Sequence, residues 1–184
     1  FVDIPDAAGK IARTGALFVG RLSPEKGTRL LAAATASHHE LTVDVVGEGP
    51  EKRFLRTATG IRLHGWEPAE AIYARMRSAC YLIMPSTWYE SFPRTLVEAF
   101  ACGTPVIASR LGAMAEIVQE GRTGLLFEPG SAAELVEKMA WATNHPEEMR
   151  RMGAAARREY EAKYTSEANI AALLEIYKQA IGMI

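Results

Sequence analysis

Cysteine is scarce: the 184 residues hold 2, which cannot make a disulfide framework. Both look like buried thiols of a reducing compartment. An excess of one charge is also missing, with 21 Lys+Arg against 22 Asp+Glu and a net charge of -1. General nucleic-acid binders are normally basic, so no nucleic-acid partner is expected. No apolar run approaches the ~20 residues of a membrane helix, so no transmembrane segment is expected. Phe1 to Ile11 contains Asp3, Pro5, Asp6 and Lys10 and does not read as a signal peptide. A cytoplasmic location follows, with peripheral membrane association left open for a full-length protein. Internal repeats and low-complexity segments are absent. What is present is ordinary globular composition, 48% hydrophobic and 23% charged, at a length that suits one domain.

The dominant pattern is alternation of short β-rich runs with helical stretches. Gly15–Gly20, Leu41–Val46, Ile61–His64, Cys80–Met84, Pro105–Ala108 and Gly124–Phe127 read as strands. Lys26–Ser37, Glu51–Ala58, Pro68–Ser78, Pro93–Cys102 and Ala113–Glu120 read as the helices between them, with Pro68 and Pro93 each at a first helical position. Apolar strands joined by helical crossovers imply an α/β domain, a doubly wound parallel sheet of about six strands covered on both faces. Extra helices follow within 131–184. Ser131 and Glu134 suggest a capping box, and Pro146–Tyr164 is long and charged. Ser166 can cap a last helix whose stripe of Ile170, Leu173, Leu174, Tyr177 and Ile181 needs a surface to cover it. Phe1–Thr14 reads as a linker, and 15–184 as the domain.

Doubly wound domains bind ligands outside the carboxyl ends of their strands, so the loops there are where chemistry is expected. The loop after the first strand runs Gly20-Arg21-Leu22-Ser23-Pro24-Glu25-Lys26-Gly27. It lacks the Gly-x-Gly-x-x-Gly fingerprint of dinucleotide binding and the glycines of a P-loop, which ranks a dehydrogenase last. Arg21 and Lys26 at a helix start make a good anion site, although a solvated turn with Glu25 pairing locally fits as well. The segment Pro85–Glu98 follows a buried strand. With Pro93 opening the helix, Phe92 falls at the N-cap, where it has no side-chain acceptor. The amides of Arg94, Thr95 and Leu96 then lack a cap partner and favour an anion. Glu90 lies in the loop and Glu98 inside the helix. Either can accept two hydrogen bonds from vicinal sugar hydroxyls. Alternatively, Glu90 is a surface residue and Glu98 the i,i+4 partner of Arg94.

Ser109–Glu116 is a small-residue turn that can approach a ligand or simply place Gly112 at positive φ. Cys80 and Cys102 look like core or near-core residues without metal partners, so no metal site is expected. His38, His39 and His145 look exposed. His64, ending a strand beside Gly65-Trp66, suits a structural role and a pocket wall equally. Met139 and Trp141 look like packing for the late helix.

Several stretches together resemble the family-4 (group 1) glycosyltransferases of the GT-B fold. They are Phe18–Gly27, Val46–Pro50, Glu90 with Glu98, Glu98–Ala108 (EAFACGTPVIA) and Gly121–Gly130 (GRTGLLFEPG). The similarity runs from about Gly15 to the end and lies with the carboxyl-terminal, nucleotide-sugar-binding half of such enzymes. It implies a Rossmann-like fold, an amino-terminal acceptor-binding half before Phe1, and Phe1–Pro5 as a connector remnant. It also implies a terminal helix that crosses back toward that other half.

The resemblance further implies roles. Arg21 and Lys26 would hold the donor diphosphate, Glu98 the ribose hydroxyls, and Glu90 the transferred sugar. The amides after Phe92, from Arg94 and Thr95 onward, would face sugar and diphosphate. The strand end at Leu63 and His64 would flank the base through backbone groups. The reaction would be retaining transfer from a nucleotide-diphosphate sugar to a glycan or lipid-linked acceptor, with no further cofactor and no essential metal. The commoner pattern has Gly at the position of Pro93, whose missing amide hydrogen removes one donor. Rival readings are a non-catalytic nucleotide-sugar binding module and a nucleotide-sugar epimerase half of GT-B type.

Overall fold

The computed structural model describes Ile4 and residues 13 to 182; most of the proposed connector therefore lies outside the described residues. Six strands form one sheet: β1 (Ala16–Val19), β2 (Val43–Val46), β3 (Ile61–Gly65), β4 (Tyr81–Met84), β5 (Val106–Ser109) and β6 (Gly124–Phe127). All adjacent pairs are parallel, in the order β3-β2-β1-β4-β5-β6. The sheet class read from the sequence is therefore the one found. β4, β5 and β6 are buried at every position, the mark of strands covered on both faces. The edge strand β3 alternates in burial.

Between and after the strands run α1 (Thr28–Ser37), α2 (Lys52–Leu55), α3 (Ala69–Ser78), α4 (Arg94–Ala101) and α5 (Gly112–Ile117), then α6 (Ala132–Asn144), α7 (Pro146–Lys163) and α8 (Ser166–Gly182). Leu31 and Ala34 of α1 join Leu135 and Met139 of α6 in one core layer. Met76 of α3, Leu96 and Phe100 of α4, and Ala156 and Tyr160 of α7 build the other. Full burial of a side chain such as Leu96 or Phe100 contributes about 1.5–3 kcal/mol.

Several local expectations shift. The helix expected over Lys26–Ser37 is broken: a single 3-10 turn, Pro24–Lys26, precedes α1. Gly27 divides them at φ 70°, and a Cβ there would lie 1.8 Å from the Pro85 carbonyl oxygen. Pro68 and Pro93 are N-cap residues rather than first helical residues. Each keeps an extended or intermediate ψ, and each carbonyl accepts the first helical bonds, from Ile72 N at 3.1 Å and from Leu96 N at 2.9 Å. Ser131 Oγ accepts from Glu134 N at 3.2 Å as anticipated, but the Glu134 carboxylate takes the Glu128 amide instead of the cap amide. α8 is capped by Thr165, whose Oγ1 accepts from Ala168 N at 3.2 Å, and not by Ser166.

Cys80 and Cys102 fall in or near the core, as anticipated. Burial, ahead of nearby charges, pushes the Cys102 thiol up to about 11. His145 differs from its exposed assignment: it is half-buried, with its ring stacked on Trp141 at 4.3 Å between centroids. Within the described residues the α8 stripe lacks the covering surface that the sequence calls for. Ile170, Leu173, Leu174, Tyr177 and Ile181 are all exposed, and no described residue covers them.

Candidate functional site

The order of the sheet reverses between β1 and β4, so the loops that follow these two strands bound the crevice at the switch point. They are laced together. Thr87 N donates to the Glu25 carbonyl at 2.9 Å, and Gly27 packs directly on Pro85. On the other side, Leu22 N donates to Glu48 O at 2.9 Å, which ties the β1 loop to the loop after β2. Only glycine at 27 lets the two backbones approach this closely.

Within this frame Lys26 Nζ donates to Glu90 Oε1 at 2.6 Å. Ser86, buried at the start of the same loop, donates its hydroxyl to the same oxygen at 2.8 Å. Glu90 Oε2 has no partner among the described residues. The Glu90 side chain is 17% exposed, so the alternative of an idle surface carboxylate does not describe it. Ser86 went unnoticed in the sequence, where a serine after a strand carries no signal of its own.

Glu98 repeats the pattern. Its Oε1 accepts from Arg94 Nε at 2.9 Å and from the Tyr73 hydroxyl at 3.4 Å, and its Oε2 has no partner among the described residues. The i,i+4 pair with Arg94 is thus real, yet it uses one oxygen only. Burial, then the Glu98 charge, pushes the Tyr73 phenol up, so it stays a donor. Tyr73 reaches Glu98 from α3, a contact that nothing in the sequence singles out.

The α4 start differs in detail from the expectation. Arg94 N bonds Phe92 O at 2.9 Å and Leu96 N bonds Pro93 O, so these two amides are satisfied. Among the described residues the Thr95 amide has no bonded acceptor outside its own helix. Neither Phe92 nor Pro93 supplies a side-chain cap, because neither has an acceptor to offer.

Arg21 is exposed on the β1 loop and forms no ion pair among the described residues. Nearby, Glu25 sits below the usual carboxylate range, held first by the Ser23 hydroxyl at 2.6 Å and only weakly by the Arg21 and Lys26 charges. The local partner of Glu25 is therefore Ser23, and that of Lys26 is Glu90. Gly112 takes a positive φ of 49°, and the Tyr89 ring lies over it; a Cβ at 112 would meet Tyr89 Cδ1 at 2.8 Å.

At the end of β3, Leu63 packs against the core while His64 is held from two sides. Its Nε2 is 2.6 Å from Asp44 Oδ1, and its Nδ1 is 3.1 Å from Arg75 Nη2. Arginine can only donate, so Nδ1 accepts and Nε2 carries the proton. Asp44 also takes Arg62 in a bidentate pair at 2.9 and 3.0 Å. Burial raises the Asp44 carboxyl, but the bonds from Arg62 and His64 outweigh it and bring it below its ordinary value. Both ring nitrogens of His64 are therefore occupied within the Asp44–Arg75 cluster.

Comparison with known proteins agrees with this architecture. The chain is 30% identical over 169 residues to an uncharacterized glycosyltransferase of Methanocaldococcus jannaschii, covering 89% of this chain and 47% of that protein. It is 36% identical over 146 residues to the phosphatidyl-myo-inositol mannosyltransferase of Mycobacterium leprae, covering 73% of this chain and 39% of the relative. Its fold matches that of Anabaena HepE, solved in complex with UDP and glucose, with a TM-score of 0.77 at 22% identity over 94% of this chain and 49% of that one. The chain thus spans about half the length of proteins it matches. Residues 12–159 match the model of the glycosyl transferases group 1, and the chain belongs to that family.

Proposed function

We propose that this chain is the donor-binding half of a retaining glycosyltransferase, which transfers a sugar from a nucleotide-diphosphate sugar to an acceptor. The observation that carries the reading is the paired carboxylates at the switch point. Among the described residues Glu90 is anchored through one oxygen by Lys26 and Ser86, Glu98 through one oxygen by Arg94 and Tyr73, and neither second oxygen has a partner; Arg21 lies on the loop after β1 and the Thr95 amide at the start of α4. Anchored carboxylates with a spare oxygen suit hydroxyl recognition, and fixed cations suit a diphosphate. Glu98 would take the ribose and Glu90 the transferred sugar. Arg21 and Lys26 would stabilise the diphosphate as the bond to the anomeric carbon breaks, which makes a metal unnecessary for that charge. The acceptor hydroxyl forms the new bond and its proton leaves with the departing diphosphate.

Transfer also needs the acceptor held in near-attack geometry, and such positioning contributes about 7–11 kcal/mol. In this reading a second, amino-terminal half supplies that wall, consistent with matches that cover about half of the relatives. The test is transfer from UDP-, GDP- and ADP-sugars by these 184 residues alone and by the chain joined to a preceding half. The reading expects donor binding without transfer by the chain alone and transfer by the joined protein. Measurable transfer by the chain alone contradicts it.

A further inference from the structure

Two carboxylates are buried among the described residues, Glu51 and Glu159. Glu159 belongs to α7, where Lys163 and Arg122 hold it. Glu51 lies behind the loop that carries Arg21 and Lys26, and no step of the proposed reaction uses it. A buried carboxylate is costly unless it is paired and hydrogen-bonded, so its partners are informative. Glu51 stands at the N-cap of α2 yet makes no side-chain cap bond to that helix. Its bonds go to α1 instead. Thr28, fully buried at the start of α1, donates its hydroxyl to Glu51 Oε2, and Arg29 Nε donates to Oε1 at 2.5 Å. The Arg29 guanidinium also lies over the Phe54 ring of α2, 5.6 Å from its centroid. The backbone of Glu51 takes hold of the same loop further back: Glu51 N donates to Leu22 O at 2.9 Å. Gly49 permits this approach, since a Cβ there would lie 2.3 Å from Leu22 O.

One residue thus holds Leu22 through its amide and Thr28 through its carboxylate. Lys26 lies between those two points, and Arg21 directly precedes the first. We propose that Glu51 is a positioning residue for the anion site: it fixes both ends of residues 22–28, so that Arg21 and Lys26 meet a diphosphate from a loop already ordered. This rests on reading the crevice as a nucleotide-diphosphate site. The ordering cost is then met on folding and not by the ligand. Charge alone predicts the opposite sign. A carboxylate near an anion site repels the anion, so its removal from a loop that stayed in place would tighten binding. In the positioning account the lost order outweighs the lost repulsion, because Arg29 already sits against the carboxylate.

The experiment is calorimetric titration of the full-length protein with UDP, GDP, ADP and the matching nucleosides, as wild type, Glu51→Ala, Thr28→Val, Thr28→Ser and the double variant Glu51→Ala/Thr28→Val. Glu51→Ala is expected to weaken each nucleoside diphosphate that the wild type binds by roughly 5- to 50-fold, and to leave the nucleoside nearly unaffected. Thr28→Val should do the same without any change of charge. Thr28→Ser, which keeps the hydroxyl, should bind like the wild type. The double variant should lose little more than Glu51→Ala, since both act through one contact. If Glu51→Ala does not fold, the two Thr28 variants decide on the same ligands. Unchanged or tighter diphosphate binding by Glu51→Ala, in a wild type that binds it, overturns the inference and leaves the site reading standing. A loss shared equally by nucleoside and diphosphate overturns it too, since the damage would then be general. So does a Thr28→Ser as weak as Thr28→Val, or a double variant whose losses add. A wild type that binds no nucleoside diphosphate overturns the site reading and the inference together.

Discussion

Lys26 and Glu90 stand 64 residues apart in the chain, and their side chains meet at 2.6 Å across the switch point. Beneath the contact the two loops are pressed together, with Thr87 N bonded to Glu25 O at 2.9 Å and no room for a Cβ between Gly27 and the Pro85 carbonyl. Gly27→Ala should therefore separate the loops. The left-handed backbone alone costs a side chain about 1–3 kcal/mol, and the clash with the Pro85 carbonyl adds to it. Denaturant unfolding should show a loss at least that large. An unchanged midpoint would mean that the loops tolerate separation.

The two carboxylates should divide the donor between them. Glu98→Gln is expected to weaken free nucleotide and nucleotide sugar alike, by roughly 10- to 100-fold, the range for a hydrogen bond to a charged group. Glu90→Gln should leave free nucleotide nearly unaffected and weaken only the sugar-bearing donor. Calorimetry with UDP and UDP-glucose, or the GDP and ADP pairs, separates the cases. The reverse pattern would exchange the two roles.

The Asp44 cluster predicts an acid dependence of stability. Its carboxyl lies below the ordinary value when folded. The unfolded state therefore takes up its proton first as pH falls. The contribution is complete above about pH 4, the ordinary range for Asp, and is lost as pH falls through the lower folded value. Asp44→Asn should flatten that part of the stability curve. An identical acid limb in both proteins would show that the cluster does not act this way.

The sheet was legible because Tyr81–Met84 and Val106–Ser109 are buried throughout and local composition alone marks such strands. Glu90 and Glu98 were singled out by the resemblance, since their loop and helix positions alone left a surface residue and an i,i+4 partner of Arg94 open. Ser86, Tyr73 and Arg75 were not. Each acts through a partner brought near by folding: Tyr73 meets Glu98 across 25 residues, and Arg75 grips His64 across 11. The break at Gly27 was missed for a related reason. A Lys-Gly-Thr run looks like the opening of a helix; the break comes from the left-handed φ of Gly27, and the Pro85 carbonyl, 58 residues away in the chain, leaves no room for a side chain there. The caps of α4 and α8 each lie one residue from the expected position, at Pro93 instead of Phe92 and at Thr165 instead of Ser166.

The apolar stripe of α8 supports nothing within the described residues. Leu173→Ser together with Leu174→Ser should thus change the unfolding free energy of the isolated chain by no more than about 0.5 kcal/mol each, as for ordinary surface positions. In a protein that also carries the proposed amino-terminal half, the same pair should reduce stability. A large loss in the isolated chain would mean that α8 packs on its own domain.

The most direct measurement is a calorimetric comparison of nucleoside and nucleoside diphosphate binding in the wild type, Arg21→Ala and Lys26→Ala. The account predicts that at least one of UDP, GDP and ADP binds, with an affinity that falls as salt is raised because exposed cations hold the phosphates. It predicts that either substitution weakens the diphosphate by roughly tenfold or more and leaves the matching nucleoside nearly unaffected. Equal losses for nucleoside and diphosphate, or a wild type that binds none of the three, would contradict the claim that this edge is a nucleotide-diphosphate site.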